Sequence, residues 1–454
     1  MQVTEANTEG LKRTLKVVVG ADELGRRFSE RLDEIKDRVQ LKGFRKGKVP
    51  IPHLKKMYGR SLMAEVLEQT VKETGSKAIA DRNERAVMQP SYTLPEDEKE
   101  IEQVLEGKAD LAYSMTFEVL PSFDLVDPKT LKLERLRADV EPDAIDKAVE
   151  QLVERSITFT PEEGRAAASG DRITMDFVGT IDGEAFEGGS GEGTQLVLGQ
   201  ANFIPGFEEG LIGVKAGEER DINATFPDDY TVDALKGKAA IFAVKIKEVA
   251  APVRPAVDDA FAKTLGAEDV ANLRKLVSEQ ISREYDNVAR MKLKRQMLAQ
   301  LEKAHTFELP PSLVDSEFES IWRQLTETMR QSGKSFPDEN KTEEEARAEY
   351  RRIAERRVRL GLIIGEIAEK NDIKITQDEL RRVLIEQARR FPGQEKAVYE
   401  YYEKTPGALA ELRAPIIEEK VVDFVIEKAK PTEKTVSKDA LFEQPEAADE
   451  TEGA

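Results

Sequence analysis

The hydrophobic pattern changes period along the chain, and that change limits the folds open to it. Between Gly170 and Val249 glycine is frequent, and Ile173, Met175 and Phe177 alternate with Arg172, Thr174 and Asp176. A period of two marks a half-buried β-strand. Phe242, Val244 and Ile246 repeat it, and Asp182-Gly183 is a turn dipeptide between strands. Beyond Pro252 the period becomes helical, with Leu273, Val277, Ile281, Tyr285 and Val288 on one face. Two such periods over 454 residues predict a chain divided into domains.

The residues before this β region mix both periods. Leu15–Val19 predicts a strand, and Asp22 stands where an N-cap belongs. Leu24, Phe28, Leu32, Ile35 and Val39 then form a helical stripe that should end at Gly43. A second helix is expected over Ser61–Asp81, a strand over Leu111–Leu120, and a connecting helix over Pro142–Arg155. In the third region Pro310-Pro311 breaks the pattern, and Thr376 with Glu379 forms a capping box. Phe318, Trp322 and Met329 share one helical stretch and are expected mainly as core. The class is a multidomain α+β protein. Its expected divisions are 1–120, a linker with the connecting helix at 121–164, a β domain at 165–250 and a helical domain at 251–430. The tail, 431–454, has seven acids against two lysines and should be disordered.

Composition excludes several chemistries. The absence of cysteine removes disulfides, thiolate metal sites and cysteine nucleophiles, and two histidines, His53 and His305, leave little for a metal site or a triad. The glycines from Gly188 to Gly193 lack a following Lys-Ser/Thr, so a phosphate-binding loop is not expected. The Glu343-Glu344-Glu345 run suits the start of a helix. No apolar run approaches a membrane span and the N-terminus has no secretory pattern, so a soluble cytoplasmic protein is expected. The formal net charge of −19 argues against an ordinary basic nucleic-acid binder.

One segment reverses that charge. Leu41–Arg60 carries seven bases and no acid, and includes Gly43-Phe44-Arg45-Lys46-Gly47-Lys48-Val49-Pro50. An aromatic beside two cations, on a segment bent by glycine and proline, suits RNA phosphates or an acidic protein surface; a plain solvated turn is the alternative. The run resembles the G-F-R-x-G-x-x-P docking signature of the trigger factor family of bacterial ribosome-associated chaperones, matching at Gly43, Phe44, Arg45, Gly47 and Pro50. The resemblance implies an α/β ribosome-binding domain. In it Phe44, Arg45 and Lys46 would touch ribosomal protein and ribosomal RNA beside the exit tunnel of the large subunit.

The β region carries a second resemblance. Asp171–Gly179, Asp182–Glu187, Leu198-Gly199-Gln200, Phe203–Gly210, Phe226–Tyr230 and Ala240–Val244 together resemble FKBP-type prolyl isomerases. This implies a curved antiparallel sheet around a short helix. Its pocket would be lined by Phe177, Phe186, Ile204, Phe207, Tyr230 and Phe242, with Phe203 near the rim and Ile204 offering a backbone N–H. Phe207 stands where the small single-domain members have tryptophan, and Glu187, which the resemblance makes the seventh site candidate, where they have aspartate. These departures leave isomerase activity expected and tight macrolide binding in doubt.

Docking segment, FKBP-type domain and helical C-terminal chaperone domain, in that order, resemble the trigger factor family over nearly the whole chain. The resemblance implies a chaperone that meets nascent and unfolded polypeptides, isomerises X-Pro bonds, and takes part in protein export and cell division. It requires no metal, nucleotide or other cofactor and no membrane, and it leaves open a homodimer off the ribosome. Two other functions remain open on the residues alone. One is an isomerase whose helical region only dimerises or holds one client; the other is an RNA-associated adaptor.

Overall fold

The computed structural model describes residues 1–36, 49–82, 84–95, 98–200, 203–232, 234–333, 335–336, 342–405 and 407–443. They gather into two compact units, one of residues 1–136, 289–434 and 442–443, the other of 137–288 and 435–441. The first unit opens with β1 (Gln2–Glu9), β2 (Lys12–Val19), α1 (Ala21–Lys36), α2 (Ile51–Asp81), β3 (Ser91–Thr93), α3 (Glu98–Leu105), β4 (Leu111–Glu118) and β5 (Glu134–Arg137). The first four strands pair antiparallel in the order β1-β2-β4-β3. Leu15, Val17 and Val19 lie opposite Met115, Tyr113 and Leu111, and all six are buried. Leu24, Val71 and Ala78 close this core from α1 and α2.

Two local expectations change. The second helix starts at Ile51, ten residues before Ser61, with Pro50 at its N-cap and Pro52 in its first turn. A proline there has no N–H to lose from the helical ladder. Leu54 is fully buried and ties that early turn to Phe28 and Leu32. The first N–H of α1, on Ala21, donates to Asp110 Oδ1 at 2.8 Å, so the cap is Asp110 rather than Asp22. Asp22 lies within the first turn, where its charge still suits the helix dipole.

The second unit contains α4 (Pro142–Arg155), β6 (Thr158–Pro161), β7 (Arg172–Ile181), β8 (Glu184–Val197), α5 (Phe207–Gly210), β9 (Glu219–Thr225), β10 (Ala239–Val253), α6 (Asp259–Thr264) and the first half of α7 (Val270–Ala304). Its sheet runs β6-β10-β7-β8, with β9 also on β10, all antiparallel. Asp182 and Gly183 both take positive φ, 52° and 84°, the mirror-image turn that a two-residue hairpin requires. Met175 faces Ile246 and Ile173 faces Val249 across the β7–β10 ladder, and all four are buried. The short α5 lays Phe207 into this core. A second cluster joins Val149 and Val153 of α4 to Phe261, Leu273 and Val277.

The rest of the first unit is helical: the second half of α7, then α8 (Pro311–Ser332), α9 (Glu343–Lys370), α10 (Gln377–Arg389), α11 (Glu395–Lys404) and α12 (Ala408–Ala429). Leu293, Met297 and Leu301 pack with Ile363, Ile367, Val421 and Val425, and with Leu131 and Leu133 from before β5. Thr376 and Glu379 form the expected capping box on α10, and Thr342 with Glu345 forms another on α9. Met329 is buried, whereas Phe318 and Trp322 stay half-exposed with their rings stacked at 5.8 Å. His305, just past α7, is buried: one ring nitrogen meets the Leu301 carbonyl and the other accepts from Val126 N–H.

The tail differs from expectation. Thr432–Thr435 form β11, paired with β5, and Lys438–Phe442 form α13 with Leu441 fully buried. The acid surplus hid this, because the pairing uses backbone groups and needs only one apolar anchor. Residues 444–454 lie outside the described ones.

Candidate active site

The period of two on β7 and β10, and the short helix α5, bring aromatic rings together on one face of the second unit's sheet. Phe207 is 0% exposed and Phe242 5%, with ring centroids 5.1 Å apart and planes at 86°. These two form a floor. Phe177 stands edge-on to both, at 6.1 Å from Phe207 and 6.2 Å from Phe242. Phe186 meets Phe242 at 6.2 Å, and Phe203 stacks on Phe207 at 4.9 Å. Phe177, Phe186, Phe203, Ile204 and Tyr230 are half-buried, so each gives one side to the core and another to solvent. Edge-to-face packing of this kind fixes ring positions beyond simple area burial.

Six of the seven residues expected in the pocket therefore come together. Glu187 does not: it follows the inward Phe186 on β8 and is exposed, with no hydrogen bond or ion pair among the described residues. One member was missed. Phe226, just after β9, is buried and meets Phe186, Tyr230 and Phe242. Its signal was present in the alternation Ile222, Ala224, Phe226.

The glycines explain how so many rings fit. A Cβ on Gly179 would lie 2.6 Å from the Phe242 ring and 2.9 Å from that of Phe186; one on Gly191 would lie 2.7 Å from Phe177. Backbone and ring approach more closely here than a side chain allows. Beside the rings, Gly206 has a φ of 88° and donates its N–H to Glu209 Oε2 at 2.9 Å. The result is a cluster of apolar rings, half-exposed at its edge, whose one titratable ring among the described residues is Tyr230; it suits desolvating a ligand rather than moving protons.

The basic segment is a separate candidate. Gly43, Phe44, Arg45, Lys46 and Gly47 lie outside the described residues. Pro50 caps α2, and Lys55, Lys56 and Arg60 are exposed on its first turns. Lys55 Nζ sits 5.7 Å over the Phe28 ring. Among the described residues no helix is long and apolar enough to cross a membrane, and no group of three His, Cys, Asp or Glu is placed to hold a metal ion.

Compared with known proteins, the chain is 51% identical over 446 residues to the trigger factor of Azorhizobium caulinodans, a match that covers 98% of this chain and 99% of that one. The chain belongs to the trigger factor family. The trigger factor of Parvibaculum lavamentivorans is 50% identical over 448 residues, covering 98% of this chain and 87% of that one. The family described as bacterial trigger factor protein matches residues 1–152, and its C-terminal part matches 269–427. The family of FKBP-type peptidyl-prolyl cis-trans isomerases matches residues 163–247, the segment that carries the aromatic ring. A solved structure reported as "Promiscuous Substrate Recognition in Folding and Assembly Activities of the Trigger Factor Chaperone" is 19% identical, with a TM-score of 0.56 over 94% of this chain and 100% of that one. That likeness concerns the fold. The protein is a trigger factor chaperone with an FKBP-type prolyl isomerase domain.

Proposed function

We propose that Phe177, Phe186, Ile204, Phe207, Tyr230 and Phe242, joined by Phe226, hold the proline of an X-Pro segment and lower the barrier to its rotation. The observation that carries this reading is the buried Phe207–Phe242 floor with half-exposed rings around it. The barrier of about 18–20 kcal/mol comes from amide resonance. A twisted amide has lost that resonance and much of its dipole, so an apolar concavity favours it over the planar, well-hydrated form. The Ile204 N–H would hold the substrate carbonyl in register. Glu187, exposed on β8, is assigned no role in this scheme.

The second part of the function is docking to the ribosome. Gly43, Phe44, Arg45, Lys46, Gly47 and Pro50 form the contact with protein and RNA near the exit tunnel of the large subunit. The sequence motif supports this, as do the exposed bases that continue onto α2 with no acid before Glu65. Nascent polypeptides are then met in the cytoplasm as they emerge, which is consistent with family roles in export and cell division. A homodimer would store the free chaperone.

One experiment tests both parts in the full-length chain. Replacing Phe44, Arg45 and Lys46 by alanine should abolish low-salt co-sedimentation with ribosomes and leave isomerisation of a proline tetrapeptide unchanged. Phe207→Leu should do the reverse. Ribosome binding that survives the triple replacement removes the docking assignment, and full isomerase rate in Phe207→Leu removes the pocket.

A further inference from the structure

Glu208 is a carboxylate almost withdrawn from solvent, 8% exposed, on the short helix that also supplies Phe207. Prolyl rotation in an apolar pocket needs no ionised group, so this one serves another purpose. A carboxylate is costly to bury unless N–H donors replace its water. Here Gly199 N–H donates to Oε2 at 2.8 Å, and Phe203 N–H donates to Oε1 at 3.3 Å. Both donors belong to the backbone that leads into Ile204. Gly199 has a φ of 91°, and a Cβ there would meet Ser169 Oγ at 2.6 Å, so its own position is closely defined. Phe203 stacks on Phe207, the residue next to Glu208. One side chain thus ties two points of the rim to the helix beneath it.

We propose that Glu208 is a positioning residue for prolyl isomerisation. Its carboxylate fixes the backbones of Gly199 and Phe203, and so sets where Phe203 and Ile204 meet the substrate. This inference rests on the aromatic ring being the isomerase site. Glu208→Gln keeps the side chain's size but turns one acceptor into a donor that faces an N–H. Losing one charge-assisted hydrogen bond should lower kcat/KM for a proline tetrapeptide by about tenfold, mainly through a raised KM.

The test uses the full-length chain, with kcat and KM measured separately and amide hydrogen exchange followed by NMR. In Glu208→Gln the Gly199 and Phe203 amides should exchange faster while those of β7 and β10 keep their protection. Glu208→Asp, which keeps the charge, should recover part of the loss. An unchanged KM in Glu208→Gln overturns the proposal. So does a loss of protection throughout β7 and β10, which marks a general role in stability. Phe207→Leu, measured alongside, separates the two ideas. If it slows the reaction and Glu208→Gln does not, only the Glu208 assignment falls; if it keeps the full rate, the site itself is elsewhere.

Discussion

The ring of Phe207 stands perpendicular to that of Phe242, with centroids 5.1 Å apart, and together they carry both the core of the second unit and the floor of its site. One pair therefore serves stability and function. Phe242→Ala should destabilise the unit by about 3–5 kcal/mol, the usual range for a large buried aromatic. Phe242→Leu should cost less than half of that and still depress isomerase activity. Urea unfolding and tetrapeptide kinetics on the two variants check this; equal activity in Phe242→Leu and the parent chain would show that the ring is core alone.

Gly179→Ala should damage the site although every ring residue is kept. Its new methyl would press on Phe242 and Phe186. Overpacking of this kind costs about 1–3 kcal/mol. The aromatic proton shifts of Phe186 and Phe242 should move, and kcat/KM should fall, because the rings must retreat into the space where the proline sits.

Arg165 grips Asp171 with two N–H bonds, from Nε at 2.9 Å and Nη2 at 3.1 Å, and Ala168 N–H adds a third at 2.9 Å. The Asp171 side chain is only 2% exposed. Burial pushes its carboxyl up, but the Arg165 and Ala168 donors outweigh burial and hold it below the ordinary value. A carboxyl lowered by folding contributes stability above its unfolded pKa, near 3.9, and loses it as pH falls further. Arg165→Met should leave the buried charge without its main partner and lower stability near neutral pH. The cost should shrink on acidification, as urea midpoints at several pH values would show.

Glu379 offers a cleaner titration. It accepts from Thr376 N–H at 2.7 Å, and from Lys420 Nζ at 2.9 and 3.0 Å. These donors, the Thr376 N–H foremost, bring its carboxyl down to about 2. Its contribution to the start of α10 is therefore complete above the unfolded value near 4.3 and is lost as pH approaches 2. The carboxyl carbon shift should titrate near that point, and Lys420→Met should raise the midpoint. A normal midpoint in the parent chain would mean that the capping box is open in solution.

Ribosome affinity should carry the mark of phosphate contact. Its logarithm should fall with the logarithm of salt concentration, and Arg45→Ala or Lys46→Ala should each reduce the slope by about one. Phe44→Ala should weaken binding with the slope unchanged, since it neutralises no phosphate.

Much of this was legible in the residues because periodicity reports which face is buried. Ile173, Met175 and Phe242 alternate as the sheet requires, and the Thr376–Glu379 box sits where its spacing put it. What escaped depends on partners distant in sequence. Asp110 caps α1 from 89 residues away, and no local pattern announces that. The β11–β5 pairing uses backbone groups, so the acid-rich tail looked unfit for structure. Glu187 was assigned to the site by its place in a motif, yet it lies exposed in a stretch of β8 where the register with β7 shifts, and Phe226 was left out although the alternation of Ile222 and Ala224 along β9 continues to it. For Phe226 strand geometry was the better guide.

The discontinuity of the first unit has a consequence for the chain's own birth. Residues 1–136 cannot complete their unit until 289–434 exist, and residues 137–288 must be synthesised in between. At 5–20 residues per second the interval is roughly 8–30 s, long compared with helix or hairpin formation. The apolar Leu131 and Leu133 wait through it, and through most of 289–434 besides, for Val421 and Val425. A protein that shields unfinished chains must thus itself spend part of its synthesis as one.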